Sequence, residues 1–214
     1  MTYFFIALML TVITHELGHA IAALLNNVPV KVISIGLFKP YLTFKVKKIE
    51  FRISPWLVGG YTLLKGEHSL VSGGFLSTKY TTKLIIAFAG ILVNLFTSVL
   101  IYLYNCQSIL KGFSIDFHIL KLIIFKQPLL PYITNLVIFN QIKYLNLTLT
   151  SVLLLIAVLF NLLPIPALDG AWIWEPMLLK IYKNKSPIIL KKLNHLGFVF
   201  LLIIQLLIIW YLYK

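Results

Sequence analysis

Charge is what this 214-residue sequence has least of. Only 12% of its residues are Asp, Glu, Lys or Arg, about half the ~25% of an average soluble domain. So little polar surface cannot cover a water-soluble globule of this size, and 60% of the residues are hydrophobic with a mean hydropathy of +0.94. An integral membrane protein follows before any motif is read. Cysteine is nearly missing: Cys106 stands alone, which excludes an intrachain disulfide. Acidic residues are the third scarcity, six against 19 Lys and Arg, for a net charge of +13. In a membrane protein such basic residues belong in cytoplasmic loops and against anionic headgroups, so no nucleic-acid partner is expected. The apolar N-terminus lacks the basic flank of a signal peptide and reads as a retained helix.

A membrane-crossing helix needs roughly 20 mostly apolar residues. Four stretches qualify, at about 3–25, 84–104, 145–163 and 196–213. A shorter apolar run at 119–133 carries Lys121, Lys126 and two prolines and reads as an interfacial or re-entrant piece. Between the first two spans the period changes. Residues 42–47 and 49–54 alternate apolar with polar, the mark of strands with one buried face, so a small antiparallel hairpin is expected there. Gly59-Gly60 and Gly73-Gly74 punctuate the path back to the membrane. The expected fold is an α-helical membrane protein. One domain over 1–214 would hold about four spans and a short membrane-associated β-hairpin region at about 30–62. No repeat, low-complexity tract or appended soluble domain is read. With four spans, the 26–83 and 164–195 loops share one side and hold fourteen Lys and Arg against five on the other. The positive-inside rule puts the richer side in the cytoplasm.

Within the first span the sequence reads His15-Glu16-Leu17-Gly18-His19. Residues four apart share a helix face, so both imidazoles can reach one metal ion. Zinc accepts His nitrogen at about 2.0–2.1 Å and lowers the pKa of a bound water to near 7. Glu16, one position off that face, can take a proton from such a water. With five His in the chain, composition alone would produce the pattern only about 0.002 times. A carboxylate in a lipid span is also costly, at least ~2.5–3.5 kcal/mol, and such residues mark function.

Catalytic zinc usually has three protein ligands and one open position. Of the six acids, Glu16, Glu50, Glu67, Asp116, Asp169 and Glu175, Asp169 stands out as the third ligand. It closes the stretch Asn161-Leu162-Leu163-Pro164-Ile165-Pro166-Ala167-Leu168-Asp169-Gly170. Two prolines break the helix there, and irregular backbone at membrane depth is tolerated where it lines a cavity. Alone, Asp-Gly would be an ordinary turn or a helix cap. The two histidines lie toward the cytoplasmic end of their span, and Asp169 follows the cytoplasmic end of the third. Both thus approach the same leaflet, in a pocket that must admit water.

Together these motifs resemble the site-2 protease family of intramembrane zinc metalloproteases, peptidase family M50. The resemblance implies one zinc ion held by His15, His19 and Asp169, with Glu16 as general base. Ala89-Gly90-Ile91-Leu92-Val93-Asn94 is similar to the family's Gly-Pro-x-x-Asn motif, with Ile91 in place of Pro. The likeness implies that Asn94 contacts substrate or the oxyanion; an amide bonding between helices is the plain alternative. Ser54-Pro55-Trp56-Leu57-Val58-Gly59-Gly60-Tyr61 resembles the family's membrane-associated β-region, where an extended substrate can add as a strand.

The function implied is hydrolysis of peptide bonds within or next to transmembrane segments of membrane-protein substrates. The implied setting is a multi-pass protein of a bacterial cell membrane, with its partners a transmembrane substrate and the bilayer. A non-proteolytic zinc-binding protein or transporter would also use His15, His19 and Asp169, but Glu16 would then be superfluous. The ligand set does not itself select zinc over another divalent ion. His68, His118 and His195 lack metal-like spacing, and Trp56, Trp172, Trp174 and Trp210 read as interface anchors.

Overall fold

A computed structural model describes residues 2–57, 59–67, 69–138, 141–175, 178, 181 and 186–213. The chain begins with helix α1 (Thr2–Leu25), uninterrupted because no proline or strong cap intervenes. It ends where Asn27 turns into the left-handed region at φ 59°, a conformation Asn tolerates well. Four strands follow: β1 (Val30–Ile35), β2 (Leu42–Val46), β3 (Ile49–Ile53) and β4 (Gly60–Leu64). They form one mixed sheet in the order β2-β3-β1-β4.

The two alternating runs of the sequence are β2 and β3. They pair antiparallel from Leu42↔Ile53 to Val46↔Ile49, around a Lys47-Lys48 turn with Lys47 at φ 54°. The hairpin does not stand alone. β3 runs parallel to β1, and β1 pairs antiparallel with β4. Four strands sharing a face are more stable than an isolated hairpin. One end of the sheet is anchored by a buried cluster of Ala20 and Ala23 from α1, Val30 and Ile33 from β1, Leu64, Phe75, Leu76 and Ile86. β4 therefore lies against the second half of α1, where the motif sits.

The chain re-enters the helical layer as α2 (Tyr80–Asn105). Next come α3 (Ile109–Ile124), α4 (Leu129–Ile138), α5 (Leu145–Asn161) and the last helix, α6 (Ser186–Tyr213). α1, α2 and α5 pack on one another, and α3 packs on α2 and α5. Among the described residues, three helical segments are long and apolar enough to cross a membrane: Tyr3–Leu25, Tyr80–Asn105 and Ile188–Leu207. α5 has 17 residues, about 26 Å at helical rise and short of a ~30 Å hydrocarbon core. The apolar run at 119–133 is not one element. It straddles the end of α3 and the start of α4, because Lys126 sits at φ 51° and Pro128 cannot continue a helix.

α3 is fixed by polar groups in an apolar setting. Asp116 is buried and accepts from Tyr102 Oη of α2 and Ser151 Oγ of α5, both at 2.9 Å. Burial pushes the Asp116 carboxyl up to about 7, against the pull of those two hydrogen bonds.

Candidate metal centre

His15 and His19 lie on one face of α1, four residues apart, and both are buried. That face meets α2 unusually closely. A Cβ on Gly18 would stand 2.7 Å from the Ala89 carbonyl oxygen and 2.9 Å from Gly90 Cα. A Cβ on Gly90 would stand 2.5 Å from His19 Nε2 and 2.8 Å from His15 Cε1. Two glycines, one per helix, thus let the backbones approach and leave room for the rings.

Asp169 is brought in from the far side of α5. That helix ends at Asn161, and the next residues cannot rejoin it because of Pro164 and Pro166. Ala167 takes a left-handed φ of 74°, and Asp169 opens a short 3-10 turn, Asp169–Ile173. A Cβ on Gly170 would lie 2.5 Å from the Leu163 carbonyl oxygen, so glycine there lets the turn fold back against the end of α5. The last helix holds the loop from outside. Ala167 N donates to Asn194 Oδ1 at 3.2 Å, and Gly197 sits so close beneath Pro166 that any side chain would collide with it. Trp174 Nε1 donates to the Pro164 carbonyl at 3.0 Å.

Three donor atoms converge as a result. His15 Nε2 is 2.9 Å and His19 Nε2 3.3 Å from Asp169 Oδ2, and the two Nε2 atoms are 3.0 Å apart. Ligands held at ~2.0–2.1 Å around a tetrahedral zinc are about 3.3 Å apart, so the triangle fits that ion. The hydrogen bonding fits as well. His19 Nδ1 lies 2.8 Å from the Ile86 carbonyl, which can only accept, so Nδ1 carries the proton. The neutral ring then presents a lone pair at Nε2. Asp169 Oδ2 is buried and receives no aligned hydrogen bond. Lone pairs converging at this distance repel unless a cation lies among them. Burial raises the Asp169 pKa, but positive charge on His19 and His15 outweighs it and holds the carboxyl below the usual carboxylate range, as a cation among the three atoms would.

Glu16 is buried on the next edge of α1. Thr62 Oγ1 of β4 lies 2.8 Å from Glu16 Oε2 and 3.0 Å from the Glu16 carbonyl. A Cβ on Gly60 would stand 2.9 Å from Glu16 Cγ, so the sheet both holds the carboxylate and leaves space for it. Asn94 is fully buried, with its amide 3.4 Å from His15 Nδ1 and 2.7 Å from Thr14 Oγ1.

All five residues singled out in the sequence, His15, Glu16, His19, Asn94 and Asp169, therefore meet in one place. Among the described residues no other His, Cys, Asp or Glu joins the cluster. Glu175 is buried, its carboxyl pushed up to about 7 by burial and by Glu67. His118 packs on Tyr132 instead, and His68 lies outside the described residues. Trp56 and Trp210 are exposed, whereas Trp172 packs edge-on against Phe75 at 4.6 Å. Sequence reasoning did not find Thr62, Asn194 or Gly197. Each is an ordinary residue type whose role exists only once the sheet and α6 are in place.

Comparison with known proteins agrees with this geometry. The family model described as Peptidase family M50 matches residues 3–204. A protein of Borreliella burgdorferi named "Putative zinc metalloprotease" is 34% identical over 111 residues, which is 46% of this chain and 26% of that protein. Similarly named proteins of Fusobacterium nucleatum and Campylobacter jejuni are 34% and 33% identical. Those matches cover 44% and 42% of this chain, and 29% and 26% of the relatives. The chain thus matches less than a third of the length of these curated relatives. Two histidines of an apolar helix and the carboxylate after α5 form a zinc-type ligand triangle, and with a family match over residues 3–204 they lead to one conclusion: this chain belongs to peptidase family M50.

Proposed function

We propose that this chain is the catalytic unit of an intramembrane zinc metalloprotease, hydrolysing peptide bonds within or next to transmembrane segments of other membrane proteins. The observation that carries the reading is the convergence of His15 Nε2, His19 Nε2 and Asp169 Oδ2 within 3.3 Å of one another, with Glu16 buried beside them. A transporter or storage site would need the triangle but not the acid.

His15, His19 and Asp169 would hold one zinc ion. Zinc bound there supplies a Lewis acid that polarises a scissile carbonyl and acidifies a water. The remaining work falls to the chain. Glu16 accepts a proton from the attacking water and returns it to the leaving amine. Thr62 orients Glu16 through Oε2, which fixes the direction in which the free lone pairs point. β4 is an edge strand of the sheet and lies next to Glu16, so an unwound substrate can add to it through main-chain hydrogen bonds. A helix in lipid hides its peptide bonds within itself, and strand addition compensates for opening it.

In this reading α5 is a fourth span, its shortness accommodated by local thinning of the bilayer. The domain extends over 1–214, and the positive-inside balance sets the site toward the cytoplasmic face of a bacterial cell membrane. The partners are a membrane-spanning substrate and the bilayer, not nucleic acid. The test is co-expression with candidate single-span proteins, comparing wild type with Glu16→Gln. Wild type should yield a truncated product, and the variant should bind zinc yet yield none. Full cleavage by the variant would refute the role of Glu16.

A further inference from the structure

We propose that Asn94 is a positioning residue for the metal site, its side-chain carbonyl accepting the Nδ1 proton of His15. This rests on His15 being a zinc ligand. It differs from the oxyanion contact that the sequence motif implies.

Asn94 is fully buried, and both of its polar atoms already have neighbours. One lies 3.4 Å from His15 Nδ1, the other 2.7 Å from Thr14 Oγ1. Buried at 0% exposure, the side chain presents neither atom to a substrate carbonyl. With Asn94 Nδ2 facing His15 Nδ1, that nitrogen must be the acceptor. The His15 proton would then sit on Nε2, the atom aimed at Asp169 and His19, and would block a metal. Amide oxygen and nitrogen are nearly isosteric, and their assignment follows from the surrounding hydrogen bonds. Turning the amide by half a revolution resolves the conflict. Oδ1 then accepts His15 Nδ1–H, and the NH₂ group donates to Thr14 Oγ1. Thr14 can accept because its own proton has other destinations, the Leu10 carbonyl at 2.9 Å and the Thr11 carbonyl at 3.1 Å.

Both rings then share one tautomer, and both are set from the same stripe of α2. Ile86, Gly90 and Asn94 follow at intervals of four residues, so they line one helix face. Ile86 offers its carbonyl to His19 Nδ1 at 2.8 Å. Gly90 leaves space for the two rings, and Asn94 offers its amide to His15. Outer partners of this kind fix ring orientation and raise ligand basicity, and their loss costs about 10–100-fold in metal affinity.

The test measures zinc dissociation constants by chelator competition on the purified full chain. The variants are Asn94→Leu, Asn94→Asp, Thr14→Val and His15→Ala, each checked for cooperative thermal unfolding. Asn94→Leu should weaken zinc binding about 10–100-fold. Asn94→Asp, which keeps an acceptor, should bind at least as tightly as wild type to within about threefold, as carboxylate–histidine–zinc arrangements do. Thr14→Val should weaken it by a smaller factor. An oxyanion role predicts the opposite pattern: unchanged zinc affinity in Asn94→Leu with a fall in kcat alone, and that result would overturn the proposal. If His15→Ala binds zinc like wild type, the ligand assignment itself has failed. If Asn94→Leu does not fold, nitrogen NMR of wild-type protein with labelled histidine reads the tautomer directly. A proton on Nδ1 of both His15 and His19 supports the proposal, and a proton on His15 Nε2 sinks it.

Discussion

Replacing Gly90 with alanine separates the account from a simple helix-propensity argument. Alanine is the better helix former by about 1 kcal/mol, so on propensity alone Gly90→Ala should stabilise α2. The structure predicts otherwise for the site. The added carbon would lie 2.5 Å from His19 Nε2 and 2.8 Å from His15 Cε1, whereas unstrained contacts between such atoms fall at about 3.5–4.0 Å. Either the rings or the helices must shift by about 1 Å. Metal sites tolerate ligand displacements of only about 0.2 Å, so the shift is several times what the triangle can absorb. Overpacking costs about 1–3 kcal/mol, partly offset by propensity, and the chain should stay folded. Zinc affinity should fall at least 100-fold, because both ligand rings are displaced rather than an outer partner lost. The assay is chelator competition on protein purified in detergent, alongside its melting temperature. Wild-type zinc affinity in a folded Gly90→Ala protein would show that the rings do not lie against α2 and would refute the reasoning.

Two further outcomes follow from other parts of the structure. Thr62→Val removes the hydroxyl that meets Glu16 Oε2 and should lower kcat about tenfold with zinc content unchanged, while Thr62→Ser restores it; equal loss in both variants would point to packing instead. Asp116, buried with its carboxyl raised to about 7, should make stability fall as pH rises. Between its unfolded value of 3.8 and about 7 the unfolded chain releases the proton and the native one keeps it. The contribution is therefore complete below the lower value and gone above the upper, about 4 kcal/mol at most. Asp116→Asn cannot ionise, so its melting temperature relative to wild type should climb between pH 4.5 and 8; a constant difference would contradict the burial of that carboxyl.

The metal ligands were legible because their chemistry is local. Two histidines four apart define a helix face without any knowledge of the fold, and two prolines before Asp169 announce broken backbone. β2 and β3 were legible for the same reason, through alternation. Gly18 and Gly90 were visible as letters but not as a contact, since the approach of two helices is set by packing that no single segment records. Thr62 gave no signal, because a threonine in a strand is ordinary until α1 lies against β4. α3 escaped notice because Lys111, Gly112, Ser114 and Asp116 interrupt its apolar run. Those residues are tolerated since Gly112 lets Tyr102 approach and Asp116 finds two hydroxyl partners.

The central claim is that two imidazoles of α1 and the carboxylate after α5 hold one ion. Zinc content after equilibration in a chelator-buffered solution tests it most directly, with wild type set against Asp169→Ala. The account predicts one zinc per wild-type chain and a folded variant that retains almost none. Equal zinc in both proteins, or none in wild type at free zinc well above the usual range for such sites, would contradict it.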